Sequence, residues 1–235
     1  MTVDEIGNIY IVRKDNSLVR FTPAGDSSAF FRTVQNGDIG QVDATNPLRV
    51  IVYYPSYSRI VLLDRMLSRK NELDLRRINS VSVAAVASSA DGNLWVYDRF
   101  NARLRKLSEQ LQQVAESNDL RQESHQVPVA SFLAERDWKV FLCDTAKGIY
   151  TFDRYGNYLN TLAIFGVKKL QVINNQLVYR QADTLFSWDM NKAMSRALLL
   201  PGAEVGIVDA AIARDLLYVL YADRLSIFRI DGAGQ

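Results

Sequence analysis

The sequence predicts an all-β fold, a six-bladed propeller with about four antiparallel strands per blade and one strand short at closure. Two observations carry this. A segment of pattern apolar-x-x-apolar recurs six times, starting at Leu18, Ile60, Leu104, Ile149, Leu185 and Leu225, with separations of 42, 44, 45, 36 and 40 residues. Eight to ten residues before each lies a second run rich in β-branched and aromatic residues, such as Ile9-Tyr10-Ile11-Val12 and Leu94-Trp95-Val96-Tyr97. Such residues favour a pleated, packed surface. A self-similar unit of roughly 40 residues, built of strands and turns, is the signature of a propeller blade.

The elements follow in order, within one domain whose blades are expected over residues 1–36, 37–78, 79–118, 119–165, 166–201 and 202–235. In the first unit, residues 2–5 stand where the inner strand belongs. Residues 7–12 and 18–21 form a hairpin across the polar loop 13–17, and residues 28–34 form the outer strand. The second unit has its hairpin at 48–53 and 60–63. The third has a small-residue inner strand at 81–86, suited to the crowded centre of a ring, and a hairpin at 92–97 and 104–107. In the fourth, 138–142 and 149–152 pair across a polar loop, and 157–162 is the outer strand. The fifth places strands at 176–179, 185–188 and 196–200, and the sixth at 208–212, 216–220 and 225–228. Gly-Asn, Asn-Asn and Arg-Asp pairs just before the second strands supply turn chemistry.

One segment competes with this frame. Leu107, Leu111 and Val114 fall on a helical period, and most of residues 107–116 are good helix formers. The repeat register nevertheless assigns this segment to the outer strand of the third unit. The sixth unit ends with residues 231–235, too short and glycine-rich for a fourth strand. The expectation is that an additional segment ahead of Met1 completes the last blade in the natural protein.

Bulk properties exclude several classes. The 235 residues are 48% apolar, enough for a sizeable core, with a formal net charge of +2. That charge is too small to imply a polyanion partner. No stretch approaches the roughly 18 to 20 apolar residues of a membrane span, and residues 1–5 lack the pattern of a signal peptide. The single cysteine, Cys143, rules out an internal disulfide and lies in an apolar strand candidate, so a buried, inert thiol is expected.

The third unit reads Asp91-Gly92-Asn93-Leu94-Trp95-Val96-Tyr97-Asp98, then a loop with Asn101-Ala102-Arg103, then Leu104-Arg105-Lys106-Leu107. This resembles the NHL-type repeat, and the first unit is similar at Gly7-Asn8-Ile9-Tyr10-Ile11-Val12. The other four units match only the apolar skeleton. A WD-type repeat fits less well, because Trp188-Asp189 is a single such dipeptide and no Gly-His pair occurs. The resemblance implies a fold that hosts enzymes, RNA binders and scaffolds alike. Bacterial propellers of this kind are often exported, so a periplasmic or cell-surface location is expected if a signal precedes Met1, and a cytoplasmic one otherwise.

Catalytic sets are scarce. One histidine, His125, lies in a polar connection between units, and zinc sites built on histidine and cysteine lack ligands. Calcium needs only oxygen ligands, so a lactonase-like hydrolase using Asp4, Asp43 and Asp209, all near inner strands, is the alternative function. Each of these aspartates also reads as a turn-stabilising or channel-solvating carboxylate. No cofactor is called for.

Charge is uneven. Residues 59–106 hold ten Lys or Arg and five Asp or Glu, a net of +5 against −3 for the rest. Tyr54, Tyr57, Arg59, Arg99, Phe100 and Arg103 in this region combine arginine with aromatics expected on the loops between second and third strands. That composition is enriched in binding hot spots. The competing reading is a solvated outer edge guarded by charge against strand addition. The expected function is therefore a non-enzymatic interaction or scaffold propeller with a protein partner. RNA binding ranks third, after the calcium-dependent hydrolase, because the overall charge is low.

Overall fold

A computed structural model describes residues 1–78, 82–202 and 206–230 and shows a six-bladed β-propeller. Blade 1 is β1 (Thr2–Val3), β2 (Ile9–Val12), β3 (Leu18–Phe21) and β4 (Ser27–Phe31). Blade 2 is β5 (Gln41–Asp43), β6 (Val50–Tyr54), β7 (Arg59–Leu63) and β8 (Arg69–Asp74). Blade 3 is β9 (Val83–Ser88), β10 (Leu94–Asp98), β11 (Arg103–Leu107) and β12 (Gln113–Glu116). Blade 4 is β13 (Ala130–Arg136), β14 (Lys139–Asp144), β15 (Gly148–Asp153) and β16 (Tyr158–Leu162). Blade 5 is β17 (Leu170–Ile173), β18 (Gln176–Gln181), β19 (Thr184–Asp189) and β20 (Met194–Leu199). Blade 6 is β21 (Ile207–Ala213), β22 (Leu216–Tyr221) and β23 (Leu225–Arg229), three-stranded among the described residues. The expectation of a missing closing strand concerns residues 231–235, which lie outside the described residues.

The apolar-x-x-apolar signature has a direct physical meaning. Residues three apart on a strand point to opposite faces, and each face of a blade packs on a different neighbour. Leu18 packs with blade 2 and Phe21 with blade 6. Leu107 packs with blade 2 and Leu104 with blade 4. Ile149 and Phe152 divide between blades 5 and 3, and Leu225 and Phe228 between blades 1 and 5. Six apolar clusters result, one at each blade-to-blade interface. The ring closes where Val3 and Ile9 of blade 1 meet Ala211, Ala213 and Tyr218 of blade 6.

Turns repeat as well. In blades 1 to 4 the connection from third to fourth strand uses one hydrogen-bond pattern, seen at Thr22–Asp26, Asp64–Ser68, Ser108–Gln112 and Asp153–Asn157. Its fourth residue has positive φ: Gly25, Leu67, Leu111 and Gly156. This explains the helix-like stretch of the third unit. Leu107 ends β11, Leu111 (φ 62°) sits in the turn, and Val114 lies on β12, so the apparent period spans three different environments.

Local differences from expectation are few. A short helix, α1 (Leu120–Glu123), capped by the Asp119 carboxylate, occupies part of the polar connection before blade 4. The inner strand of blade 3 runs from Val83, and the start expected at residue 81 lies outside the described residues. Trp138 lies in a turn rather than on β14. Among the described residues no helix is long and apolar enough to cross a membrane.

Candidate functional site

Residues of β1, β5, β13, β17 and β21, with the turns that follow them, line a central cavity of about 230 Å³. Two glutamines fasten its wall. Gln41 donates from Nε2 to the Val86 and Leu133 carbonyls at 2.6 and 3.2 Å and accepts from the Val86 amide at 3.4 Å. Gln171 donates to the Ile212 carbonyl at 3.1 Å and accepts from its amide at 2.8 Å. A side-chain amide carries both a donor and an acceptor, so each glutamine partners the inward edge of another blade as a strand would.

The three aspartates weighed as calcium ligands do not converge. Asp4 is buried in the first turn of blade 1 and accepts from the Ile6 and Asn8 amides, the Asn8 side chain and the Tyr10 hydroxyl. Asp43 ties blade 2 to blade 3, accepting from Thr45 N at 2.8 Å and Ser88 N at 2.7 Å. Asp209 pairs with Lys169 at 3.3 Å and with the Met1 ammonium at 2.9 Å. Burial pushes the Asp209 carboxyl up, but those two charges outweigh it and leave it below its ordinary value. Among the described residues no group of three or more His, Cys, Asp or Glu side chains is arranged to hold a metal ion. These carboxylates serve turns and blade contacts.

The basic-aromatic sector divides on inspection. Tyr54 is not a loop residue: it ends β6 and is fully buried, and burial with the Glu72 charge pushes its hydroxyl up to about 12. Arg59 pairs with Glu72, and Arg103 with Glu116 at 2.8 Å, in both cases across the two outer strands of its own blade. Arg105 and Lys106 are likewise paired, with Glu116 and Asp91. These basic side chains are thus held in ion pairs within their own blades, and Glu116, outside the stretch counted, adds a negative charge beside it. Tyr57, in a one-turn 3-10 helix, Arg99 and Phe100 remain exposed on the turns between second and third strands.

On the opposite face, sequence reading missed a more ordered group. Asp137 and Trp138 form the two-residue turn between β13 and β14, both with positive φ (52° and 63°). A left-handed conformation is uncommon for so bulky a side chain. It leaves the indole half exposed. The Arg154 guanidinium lies 4.6 Å from the Trp138 ring centroid and 5.0 Å from that of Tyr155, itself 60% exposed. Beside this stack runs a groove of about 540 Å³ bounded by Glu5, Asn46, Ser89, Glu135, Arg136 and Trp138.

The stack rests on a buried network. Glu135 on β13 accepts from Ser89 Oγ at 2.6 Å, the Ala90 amide at 3.1 Å and Trp95 Nε1. Lys106 Nζ sits 4.8 Å above the Trp95 ring, pairs with Asp91 at 2.7 Å, and donates to the Arg154 carbonyl at 3.2 Å. Burial raises the Asp91 carboxyl, but hydrogen bonds from Lys106, Ser89 and the Asn93 amide prevail and hold it at about 2. Blade 3 therefore grips the turn of blade 4 that carries Arg154. The signal available in the sequence was a tryptophan directly after a turn-forming aspartate and before a strand.

His125 is exposed just after α1, away from the cavity lining, and Cys143 is fully buried, with burial raising its thiol pKa.

Several solved structures are similar in fold. Virginiamycin B lyase from Staphylococcus aureus matches with a TM-score of 0.62 at 12% identity, covering 98% of this chain and 83% of that one. A protein of unknown function from Bacteroides caccae matches at 0.66 and 10% identity, covering 96% and 90%. The C-terminal WD40 domain of Sif2 matches at 0.56 and 9% identity, covering 97% and 66%. No family model matches the chain, and no curated protein does. At such identities the likeness establishes the propeller fold alone. These neighbours include both an enzyme and a WD40 domain, so function has to be read from this chain's own surface.

Proposed function

We propose that this protein is a non-enzymatic interaction module that binds a protein partner through the Trp138–Arg154–Tyr155 stack and the adjoining groove. The observation that carries the reading is the Arg154 guanidinium, which lies within 4.6 Å of the Trp138 ring centroid and 5.0 Å of the Tyr155 ring centroid. An arginine immobilised in this way loses little side-chain freedom on binding. Arg with Trp and Tyr is the composition in which interface energy concentrates. Neither Arg154 nor Arg136 enters an ion pair among the described residues. The matching partner surface is therefore a loop bearing a carboxylate.

The lyase-like alternative lacks support at the residue level. One structure of that lyase is of a histidine-to-alanine variant described as catalytically inactive. The single histidine of this chain, His125, contributes nothing to the cavity lining.

The test is affinity capture with two double variants. Trp138→Ala with Arg154→Glu is expected to lose at least tenfold of the captured partner while melting within about 2 °C of wild type, since surface changes away from the core cost little. Tyr57→Ala with Arg99→Glu is expected to capture normally. Retention by the first pair and loss by the second would place the binding face on the other side of the disc and overturn the proposal.

A further inference from the structure

The groove beside the Trp138–Arg154–Tyr155 stack leads into the centre of the ring. Glu5, Thr45, Glu135 and Arg136 line both that groove and the central cavity, so the two spaces open into each other. Inner strands stand nearest the axis of a propeller. The groove therefore runs inward from Trp138, on the β13–β14 turn, to Arg136 at the end of β13. Arg136 shares the mouth of the cavity with Glu5, Thr45, Asn174 and Arg214, each at or just past the end of an inner strand.

Deeper in the cavity the charged groups are already committed. Asp4 and Asp43 accept from backbone amides, Lys169 pairs with Asp209, and Glu135 has its three donors. The mouth differs. Arg136 is exposed and enters no ion pair among the described residues. Arg214, with φ 54°, donates from Nε to the Glu5 carbonyl at 3.2 Å. That bond holds its guanidinium at the rim and takes only the Nε donor, so the terminal nitrogens can serve a ligand. Asn174, on the blade between these two arginines, adds an exposed side-chain amide. The unpaired acids facing the same space are Glu5 and Asp137. With Arg154 beside the outer end, guanidinium groups outnumber them.

We propose that the partner segment is extended and doubly acidic, with one carboxylate at Arg154 and a second entering the cavity mouth between Arg136 and Arg214. This rests on the reading that the stack and groove receive the partner. Guanidinium–carboxylate hydrogen bonds are charge-assisted and directional, which suits arginine better than lysine. Once one carboxylate is held, the second contact forms within the complex and gains from effective concentration. A small free carboxylate would fill the mouth without using the groove. The continuity of the two spaces favours a chain that crosses from one to the other. Glu5 sets a limit, because its charge at the rim opposes the second carboxylate.

The test uses amidated peptides labelled with an uncharged coumarin. They carry two glutamates separated by two, four or six glycine or serine residues, with a single-glutamate peptide as reference. At one spacing the double peptide is expected to bind at least tenfold more tightly than the reference. Arg136→Gln and Arg214→Gln are each expected to remove that advantage, and Arg154→Gln to remove it from the other end. Glu5→Gln is expected to tighten binding, and Arg99→Gln, on the opposite face, to leave it unchanged. Loss with Arg154→Gln alone would keep the stack and overturn the second contact. Loss with the two mouth variants alone would keep the second contact and overturn the stack reading. Equal binding of single and double peptides at every spacing would overturn the proposal. So would glutarate competing as strongly as the best double peptide, or weakening by Arg99→Gln.

Discussion

Replacing Trp95 with alanine is expected to destabilise the protein by about 4 kcal/mol, the range for a large aromatic lost from a packed core. The melting temperature should fall by roughly 8–16 °C for a chain of this size. Trp95 is fully buried at the interface of blades 3 and 4, among Leu104, Leu133, Leu142 and Phe152. Its ring also supports the blade 4 turn, since a Cβ on Gly156 would lie 3.4 Å from it. Removing the indole leaves a cavity and deprives the Glu135 carboxylate of one of its three donors. Trp95→Phe partly separates the two contributions, because it keeps an aromatic ring and most of the volume while losing the N–H and the far edge of the indole. Its expected cost is about 1–2 kcal/mol. Urea denaturation of both variants measures this, and a loss below about 1 kcal/mol for the alanine variant would show that blades 3 and 4 are not held together through this residue.

Gly148→Ala is expected to be comparably damaging, at about 3 kcal/mol or more, for a reason confined to the backbone. Gly148 opens β15 with φ 106°, and a Cβ there would stand 2.2 Å from the carbonyl oxygen of Leu162 on the outer strand. Neither atom is the flexible end of a side chain, so the strand pair itself would have to part. Gly92 is the control. It has φ 82° with nothing within 4 Å of an added Cβ, so alanine there should cost only the 1–2 kcal/mol of a left-handed residue. Equal losses at the two positions would refute the steric account.

The strands were legible because the propeller writes its packing into sequence twice. Each third strand must place one apolar residue against each neighbouring blade, and Leu104 with Leu107 or Leu18 with Phe21 states that requirement within four residues. The surface was less legible. Tyr53 and Tyr54 look alike in sequence, and whether Tyr54 is loop or core depends on where β6 stops, which no local pattern fixes. Arg59 and Glu72 are 13 residues apart, and only cross-strand register makes them a pair. A charge count along the chain therefore does not say which arginines are left unpaired on the surface. Trp138 was hidden for the opposite reason: its aromatic character suggested strand, while its neighbour Asp137 and the register of β13 with β14 place it on a turn. Asp4, Asp43 and Asp209 show the same limit, since proximity to inner strands does not bring three carboxylates to one point.

The central claim is that a rigid disc presents a pre-set arginine–aromatic stack on one face. Amide hydrogen exchange on the captured complex, compared with the unbound protein, tests it most directly. The account predicts slowed exchange at residues 136–139 and 153–157, with residues 55–58 and 99–102 unchanged. Protection confined to residues 55–58 and 99–102 would contradict it.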